Sequence, residues 1–122
     1  MRAIVQEGSG SADVLKLREI ERPVVGDKDV LVRVRAASVN ALDGHLLKMP
    51  LPVRKLFARK QPVRIPGVDL AGHIEAVGRK VTRFKPADEV FGNGRGAFAE
   101  CASARGITAS TNVMALRGAN AA

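Results

Sequence analysis

Two histidines and an aspartate, His45, His73 and Asp69, are the residues that could bind a metal. Imidazole nitrogens and carboxylate oxygens are zinc ligands, so these side chains could hold a cation if the fold brought them together. However, the histidines lie far apart in the chain, on separate predicted elements, where histidine more often serves in the core or at the surface. Cys101 is the sole cysteine, so neither a cysteine metal knuckle nor an internal disulfide can form. We therefore predict no metal site.

Nucleophilic catalysis needs a hydroxyl or thiol beside a base that removes its proton. Ser38 has no evident histidine partner in the sequence, and Cys101 follows Glu100, whose negative charge disfavours a thiolate. No pair of residues stands out as an acid–base dyad. The sequence therefore predicts no catalytic side chain.

A short helix is predicted over about residues 41–48, close to several of these polar groups. Asn40 precedes it and can act as its N-cap, because the short side chain can accept hydrogen bonds from the free amides of the first turn. Asp43 falls in that turn, where the helix dipole favours a carboxylate. Pro50 ends the helix. A second short amphipathic turn is predicted over residues 53–60.

Strand patterns dominate the rest of the chain and must position the polar residues. Short apolar or alternating runs bounded by glycine and proline are typical of a small barrel or sandwich. They fall at residues 3–5, 14–20, 30–37, 70–78, 89–91 and 97–101. The second run is predicted to be an exposed or edge strand. Ala71 and Gly72 leave room for another backbone or a ligand. The predicted fold class is mainly β with one or two short helices.

The length and hydrophobicity of the chain are those of one ordinary soluble domain. It has 122 residues, of which 46% are hydrophobic, enough to bury a single core. The sequence shows no signal peptide and no transmembrane segment, and its one cysteine suits a reducing compartment. We therefore expect a cytoplasmic protein without a membrane partner.

The formal net charge of +8 raises the hypothesis of a polyanionic partner. Six basic residues and no acidic one lie between Asp43 and Asp69, and this basic cluster runs from Lys48 to Arg64. It could contact the phosphates of a nucleic acid, or it could be a solvated helical face whose long side chains cover apolar neighbours. With no Trp, no Tyr and four Phe, the chain lacks the aromatic residues that base stacking needs.

Five motifs follow one another between residues 66 and 100. They read PGVDLAG from Pro66, IEAVG from Ile74, VTRFKP from Val81, DEVFG from Asp88 and GAFAE from Gly96. Together with residues 1–6 and 29–40, they resemble the N-terminal GroES-like domain of the medium-chain dehydrogenase/reductases. The resemblance is to the zinc-independent branch that contains quinone oxidoreductases, and it covers roughly residues 1–104.

The resemblance implies a partly open β-barrel over residues 1–104, the substrate side of a two-domain oxidoreductase. Residues 105–122 would be a poorly ordered tail or the remnant of a link. In this family NADPH or NADH is bound by a Rossmann domain, which this sequence lacks, so the chain would be a truncated or frame-disrupted piece. It is then expected to be inactive alone and to bind no cofactor stably.

A Rossmann domain requires a glycine-rich turn between a strand and a helix. The one candidate is Gly92-Asn93-Gly94-Arg95-Gly96. It is followed by a β-type run and leaves no room for the rest of the unit, so we predict a connecting loop and not a phosphate cradle.

Zinc-dependent members of the family carry a cysteine after the second long strand and a histidine in a Gly-His-Glu motif. The matching positions here read Asn40-Ala41-Leu42-Asp43 and Gly67-Val68-Asp69. The resemblance therefore implies that no zinc is bound. A smaller departure is Ala87, which stands where family members usually carry glycine.

The resemblance also implies that Asn40, Asp43 and Asp69 bind cofactor or substrate at the mouth of the cleft. Each has a second interpretation. Asn40 could hydrogen-bond a ligand or only cap the helix, and Asp43 could face the cleft or only complement the helix dipole. Asp69 could line the site or only orient a strand end through backbone amides.

Three functions follow from these observations. The leading hypothesis is the substrate-side domain of an NAD(P)H-dependent, zinc-independent oxidoreductase that reduces quinones, enones or related carbonyl compounds. The second is a small basic β-barrel that binds nucleic acid or another polyanion. The third is a structural interaction module, with self-association through exposed apolar surface.

Overall fold

The computed structural model describes residues 1–8, 10–48 and 64–106, together with the backbone of residues 113–115. Within these ranges the chain is mainly β, as predicted. The elements are β1 (Arg2–Gln6), a 3₁₀ turn (Ala12–Val14), β2 (Leu15–Glu19), β3 (Asp29–Ala37), α1 (Ala41–Lys48), β4 (Asp69–Val77), β5 (Glu89–Asn93), β6 (Cys101–Arg105) and β7 (Val113–Ala115). In the described ranges, no helix has the length and apolar character needed to cross a lipid bilayer.

The body of the fold is a five-stranded antiparallel sheet in the order β6-β3-β4-β5-β7. β3 and β4 are nine residues each and pair along most of their length. Their register shifts between Leu31 and Val32 and again between Val34 and Ala36. Such bulges increase the local twist of a sheet, so these two long strands can curve around a core.

The hydrophobic core is built mainly by β3, β4, β5 and β6. Its buried members are Val30, Val32, Leu70, Ile74, Val81, Phe84, Val90, Ala97, Ala102 and Ala104. β4 buries alternate residues, as its sequence pattern predicts. In β3, by contrast, Val30, Leu31 and Val32 are all buried. Since successive strand residues point to opposite faces, both faces of β3 are covered at this end.

β1 and β2 form a separate two-stranded antiparallel sheet. β1 docks on the segment before β6, because the Ile4 N–H donates to the Phe98 carbonyl at 2.8 Å and Ala3 bridges Ala99. β2 is mostly exposed, with 63% of Leu17 accessible to solvent. The predicted exposed strand over residues 14–20 is confirmed.

The boundaries of two other elements test the sequence patterns. α1 spans Ala41–Lys48, as predicted. The strand predicted at residues 97–101 is wrong, because β6 covers Cys101–Arg105. The residues before β6 form hydrogen bonds with the segment that precedes β4 and do not extend the strand. The Ala97 N–H donates to the Gly67 carbonyl at 3.1 Å.

Three predictions involve residues that the structure describes in part or not at all. The amphipathic turn at 53–60 lies outside the described residues, and so does most of the basic cluster from Lys48 to Arg64. The polyanion hypothesis therefore stays a prediction. The domain boundary at residue 104 also stays a prediction. Beyond that boundary, the backbone of Val113–Ala115 pairs with β5.

Candidate functional site

The Asp69 carboxylate is the centre of a hydrogen-bonded cluster where β3 ends and β4 begins. Asn40 Nδ2 donates to Asp69 Oδ2 at 2.5 Å, and Ser38 Oγ donates to the same oxygen at 3.2 Å. The Ser38 N–H also donates to the Asp69 carbonyl, at 3.3 Å. These bonds tie the connection between β3 and α1 to the first residue of β4.

Asn93 completes this cluster from the third strand, β5. It lies opposite Asp69 in the register of β4 and β5, and its Nδ2 donates to Asp69 Oδ1 at 2.5 Å. The sequence analysis missed Asn93 as a site residue and placed it in a loop. The signal that could have found it is a polar residue two positions after the apolar pair Val90 and Phe91, near the end of a strand that can pair antiparallel with β4.

Asn40 caps α1, so the predicted helix-cap role is confirmed. Its Oδ1 accepts from the backbone N–H groups of Leu42 at 3.0 Å and Asp43 at 3.3 Å. In return, Asp43 Oδ2 accepts the backbone N–H of Asn40 at 2.9 Å. This reciprocal pair satisfies amides that the first turn of any helix leaves free.

Asp43 has one carboxylate oxygen without a hydrogen-bond donor. The residue is only 6% exposed, and Oδ1 finds no partner among the described residues. A buried acceptor left without a donor is unfavourable by about 1–3 kcal/mol. Asp43 therefore offers a buried acceptor that a ligand, water or another part of the chain can satisfy.

The three residues predicted from sequence thus come together through Asn40, which hydrogen-bonds both Asp43 and Asp69. One detail of the prediction is wrong. In the described structure the Asp69 carboxylate is held by the side chains of Ser38, Asn40 and Asn93, and not by backbone amides. The reason is that Asp69 opens β4 beside the polar residues that follow the end of β3 and the polar residue that ends β5.

The histidines are not part of this cluster. His45 is exposed on α1, whereas His73 lies in the middle of β4, between Arg33 of β3 and Glu89 of β5. Among the described residues, no three His, Cys, Asp or Glu side chains lie close enough together to hold a metal ion. The sequence-based expectation of no metal and no zinc stays a prediction.

Cys101 lies buried in β6, with its Sγ 3.3 Å from Glu75 Oε2. Burial raises the pKa of the Cys101 thiol, and the hydrogen bond and charge of Glu75 raise that pKa further. The carboxylate involved is Glu75 and not Glu100, which instead accepts the backbone N–H of Arg2 at 2.8 Å. A thiolate is thus disfavoured, mainly by burial.

The segment predicted as a glycine-rich connecting loop is partly strand. Gly92 and Asn93 complete β5 opposite Leu70 and Asp69, so the loop prediction is wrong for these two residues. The rest of the segment leads into β6. The turn that cradles a dinucleotide pyrophosphate leads from a strand into an α-helix, so this segment does not have that arrangement.

Comparison with known protein families decides the classification of this fold. Residues 26–121 match the alcohol dehydrogenase GroES-like domain. The chain belongs to this family. The match includes β3, α1 and the strands that carry the Asp69 cluster. The resemblance inferred from the motifs between residues 66 and 100 is therefore confirmed.

Individual relatives of this GroES-like domain are named as quinone oxidoreductases. The quinone oxidoreductase of Lama guanicoe is 38% identical over 93 residues, which cover 75% of this chain and 26% of that protein. The solved quinone oxidoreductase of Pseudomonas syringae pv. tomato DC3000 superposes with a TM-score of 0.78 at 28% identity, covering 97% of this chain and 34% of that one.

A third structure is more distant in sequence. Escherichia coli quinone oxidoreductase, solved as a complex with NADPH, gives a TM-score of 0.72 at 19% identity and covers 95% of this chain. That likeness shows the fold. This chain spans about a quarter of the length of the curated relative and about a third of each solved chain.

Proposed function

We propose that this GroES-like domain is the substrate-side part of an NAD(P)H-dependent, zinc-independent oxidoreductase that reduces quinones, enones or related carbonyl compounds. The observation that carries the proposal is the gathering of Asn40, Asp43 and Asp69 into one cluster at the strand ends. The quinone oxidoreductases among the similar proteins support this class of substrate.

Asn40 is the group that we propose to contact a carbonyl oxygen of the substrate. Its Oδ1 is occupied by the helix amides and one Nδ2 hydrogen by Asp69, which leaves the second Nδ2 hydrogen as a donor. The buried Oδ1 of Asp43 can accept a hydrogen bond from a hydroxyl group of the reduced product, since a quinone or an enone has no donor itself. Because both groups are held by other bonds, they are preorganised for binding.

The oxygen atoms that could bind a cation at this site already accept hydrogen bonds, which supports the zinc-independent class. Asn40 Oδ1 is engaged by backbone amides, and both oxygens of Asp69 are engaged by side-chain donors. A cation would have to displace these bonds. When a nicotinamide cofactor is bound, it supplies the hydride. The contribution that we propose for this domain is to orient the carbonyl compound and exclude water.

The test is an activity assay with a cofactor domain supplied. The chain would be assayed alone and fused to the nicotinamide-binding domain of a related reductase, with NADPH and NADH, against a panel of quinones and enones. We expect turnover in the fusion and none with the chain alone. A fusion that is folded and binds NADPH, yet oxidises it with none of these substrates, would refute the proposal.

Variants of Asn40 separate ligand binding from helix capping. Asn40→Asp keeps an oxygen that can cap α1 but removes the amide donor, whereas Asn40→Ala removes both. We expect both variants of the fusion to lose at least about tenfold in kcat/KM, the factor that one hydrogen bond contributes, and only Asn40→Ala also to lose about 1 kcal/mol of stability with the helix cap. Thr82→Ala, on the exposed loop before β5, is the matched control and should keep full activity.

A further inference from the structure

The Asp69 carboxylate is held from two sides by two asparagine amides. Asn40 Nδ2 reaches Oδ2 from the side of α1, and Asn93 Nδ2 reaches Oδ1 from β5, each at 2.5 Å. A carboxylate at neutral pH only accepts hydrogen bonds, so both amides must turn their N–H groups toward it. Asn40 then has its Oδ1 directed to the first turn of α1.

We infer that Asn93 is a positioning residue, which fixes the Asp69 carboxylate and through it the orientation of the Asn40 amide. In the described structure Asn93 and Asn40 share no hydrogen bond, so the action of Asn93 on Asn40 must pass through Asp69. The inference rests on the proposed function, in which Asn40 contacts the substrate. It adds a residue from a third strand to the site.

The backbone holds Asn93 in one place. Gly92 is paired with Leu70 on one side, and on the other the Gly94 N–H donates to the Val68 carbonyl at 2.8 Å. These backbone contacts on both sides of Asn93 fix the register of β5 against β4, and the Asn93 side chain stays opposite Asp69.

The exposure of Asn93 shows that it is not needed for the core. The residue is exposed at the end of β5, and Asp69 is the hydrogen-bond partner of its side chain in the described structure. Replacing it should leave the core intact. An effect on Asn40 can then be distinguished from an effect on the stability of the whole domain.

Asn93→Asp is the decisive substitution, because it preserves the shape of the side chain and removes the donor. It also places a second carboxylate against Asp69, and like charges at this distance repel. Asn93→Ala removes the donor without adding charge. Asn93→Gln keeps a carboxamide donor on a longer side chain and serves as the rescue variant. Glu89→Ala, at the other exposed end of β5, is the matched control.

The measurement is amide hydrogen exchange by NMR on the whole chain, read at the Asn40 side chain and at the capped backbone amides of Leu42 and Asp43. In Asn93→Ala and Asn93→Asp, we expect exchange at these groups to accelerate by about tenfold or more. Asn93→Gln should restore part of the protection, and Glu89→Ala should change nothing there. Amides in the middle of β3 should keep their rates in all four variants.

Two results would overturn the inference. One is unchanged exchange at Asn40, Leu42 and Asp43 in Asn93→Asp. The other is a uniform acceleration at these groups and throughout β3, which would make Asn93 a stabilising residue without a positioning role. The readout needs no turnover, so an inactive fusion and a wrong assignment of Asn93 give different results.

Discussion

The carbonyl oxygen of Arg33 in β3 lies 2.0 Å from the position that a β-carbon on residue 72 of β4 would take. Gly72 lies opposite Val34, next to the register shift in β3. The sequence predicted that a backbone or a ligand could approach closely here, and the backbone of the neighbouring strand does so. Glycine at this position therefore permits the tight pairing of the two longest strands.

Gly72→Ala should destabilise the domain by about 3 kcal/mol, because the added methyl group meets backbone that cannot move without breaking the β3–β4 ladder. Urea denaturation followed by circular dichroism would measure the change in the free energy of unfolding. Ala71→Gly, one residue away, should cost about 1 kcal/mol or less. Equal losses in the two variants would contradict the close approach.

Ala87 adopts a φ of +76°, in the left-handed region that favours glycine. Ala87→Gly should stabilise the domain by about 1 kcal/mol, because it relieves the strain of a β-carbon in this conformation. Thermal unfolding should show a Tm higher by about 4 °C. Ala37→Gly, on the exposed end of β3, is the control and should lower Tm. A lower Tm for Ala87→Gly would show that the turn is not strained.

Gln6 ties the end of β1 to the end of α1. Its buried side chain donates to the carbonyls of Gly8 at 2.8 Å and Leu47 at 3.2 Å, and it accepts from Arg64. Gln6→Leu should destabilise the domain by about 2 kcal/mol through the loss of these bonds. Hydrogen exchange should rise most at the Gly10 amide, which donates to the same Leu47 carbonyl. No change in stability or exchange would contradict this role.

The raised pKa of Cys101 makes stability depend on pH in the alkaline range. The thiol ionises at lower pH in the unfolded chain than in the folded one. The contribution of the buried, neutral thiol to the free energy of unfolding is therefore complete below the ordinary thiol pKa, about 8.5. It is lost as pH rises toward the higher pKa of the folded state. We expect the free energy of unfolding to fall with pH above about 8.5.

The control for this pH dependence is Cys101→Ala, which should show a shallower fall over the same range because it has no thiol to ionise. Urea denaturation at a series of pH values from about 7 to 10 would measure both proteins. Glu75→Gln should keep most of the fall, since burial is the larger cause of the raised pKa. Parallel curves for the parent chain and Cys101→Ala would contradict the assignment.

Patterns of neighbouring residues predicted those helices and strands that depend on interactions between residues close in sequence. The cap at Asn40 marks the start of α1, because the first turn needs an acceptor close in sequence. The alternation in residues 70–78 predicted β4, since a strand with one buried face repeats every second residue. The ordered motifs between residues 66 and 100 predicted the GroES-like family.

Tertiary structure decided which side chains meet. Glu100 precedes β6 and accepts the backbone N–H of Arg2, whereas Glu75 on β4 reaches the Cys101 thiol. Asn93 joins Asp69 because the register of β4 and β5 sets them opposite each other, a pairing that no local pattern encodes. The sequence by itself determined the helix, most strands and the family. The partners of each site residue were decided by strand register, which depends on packing along whole strands.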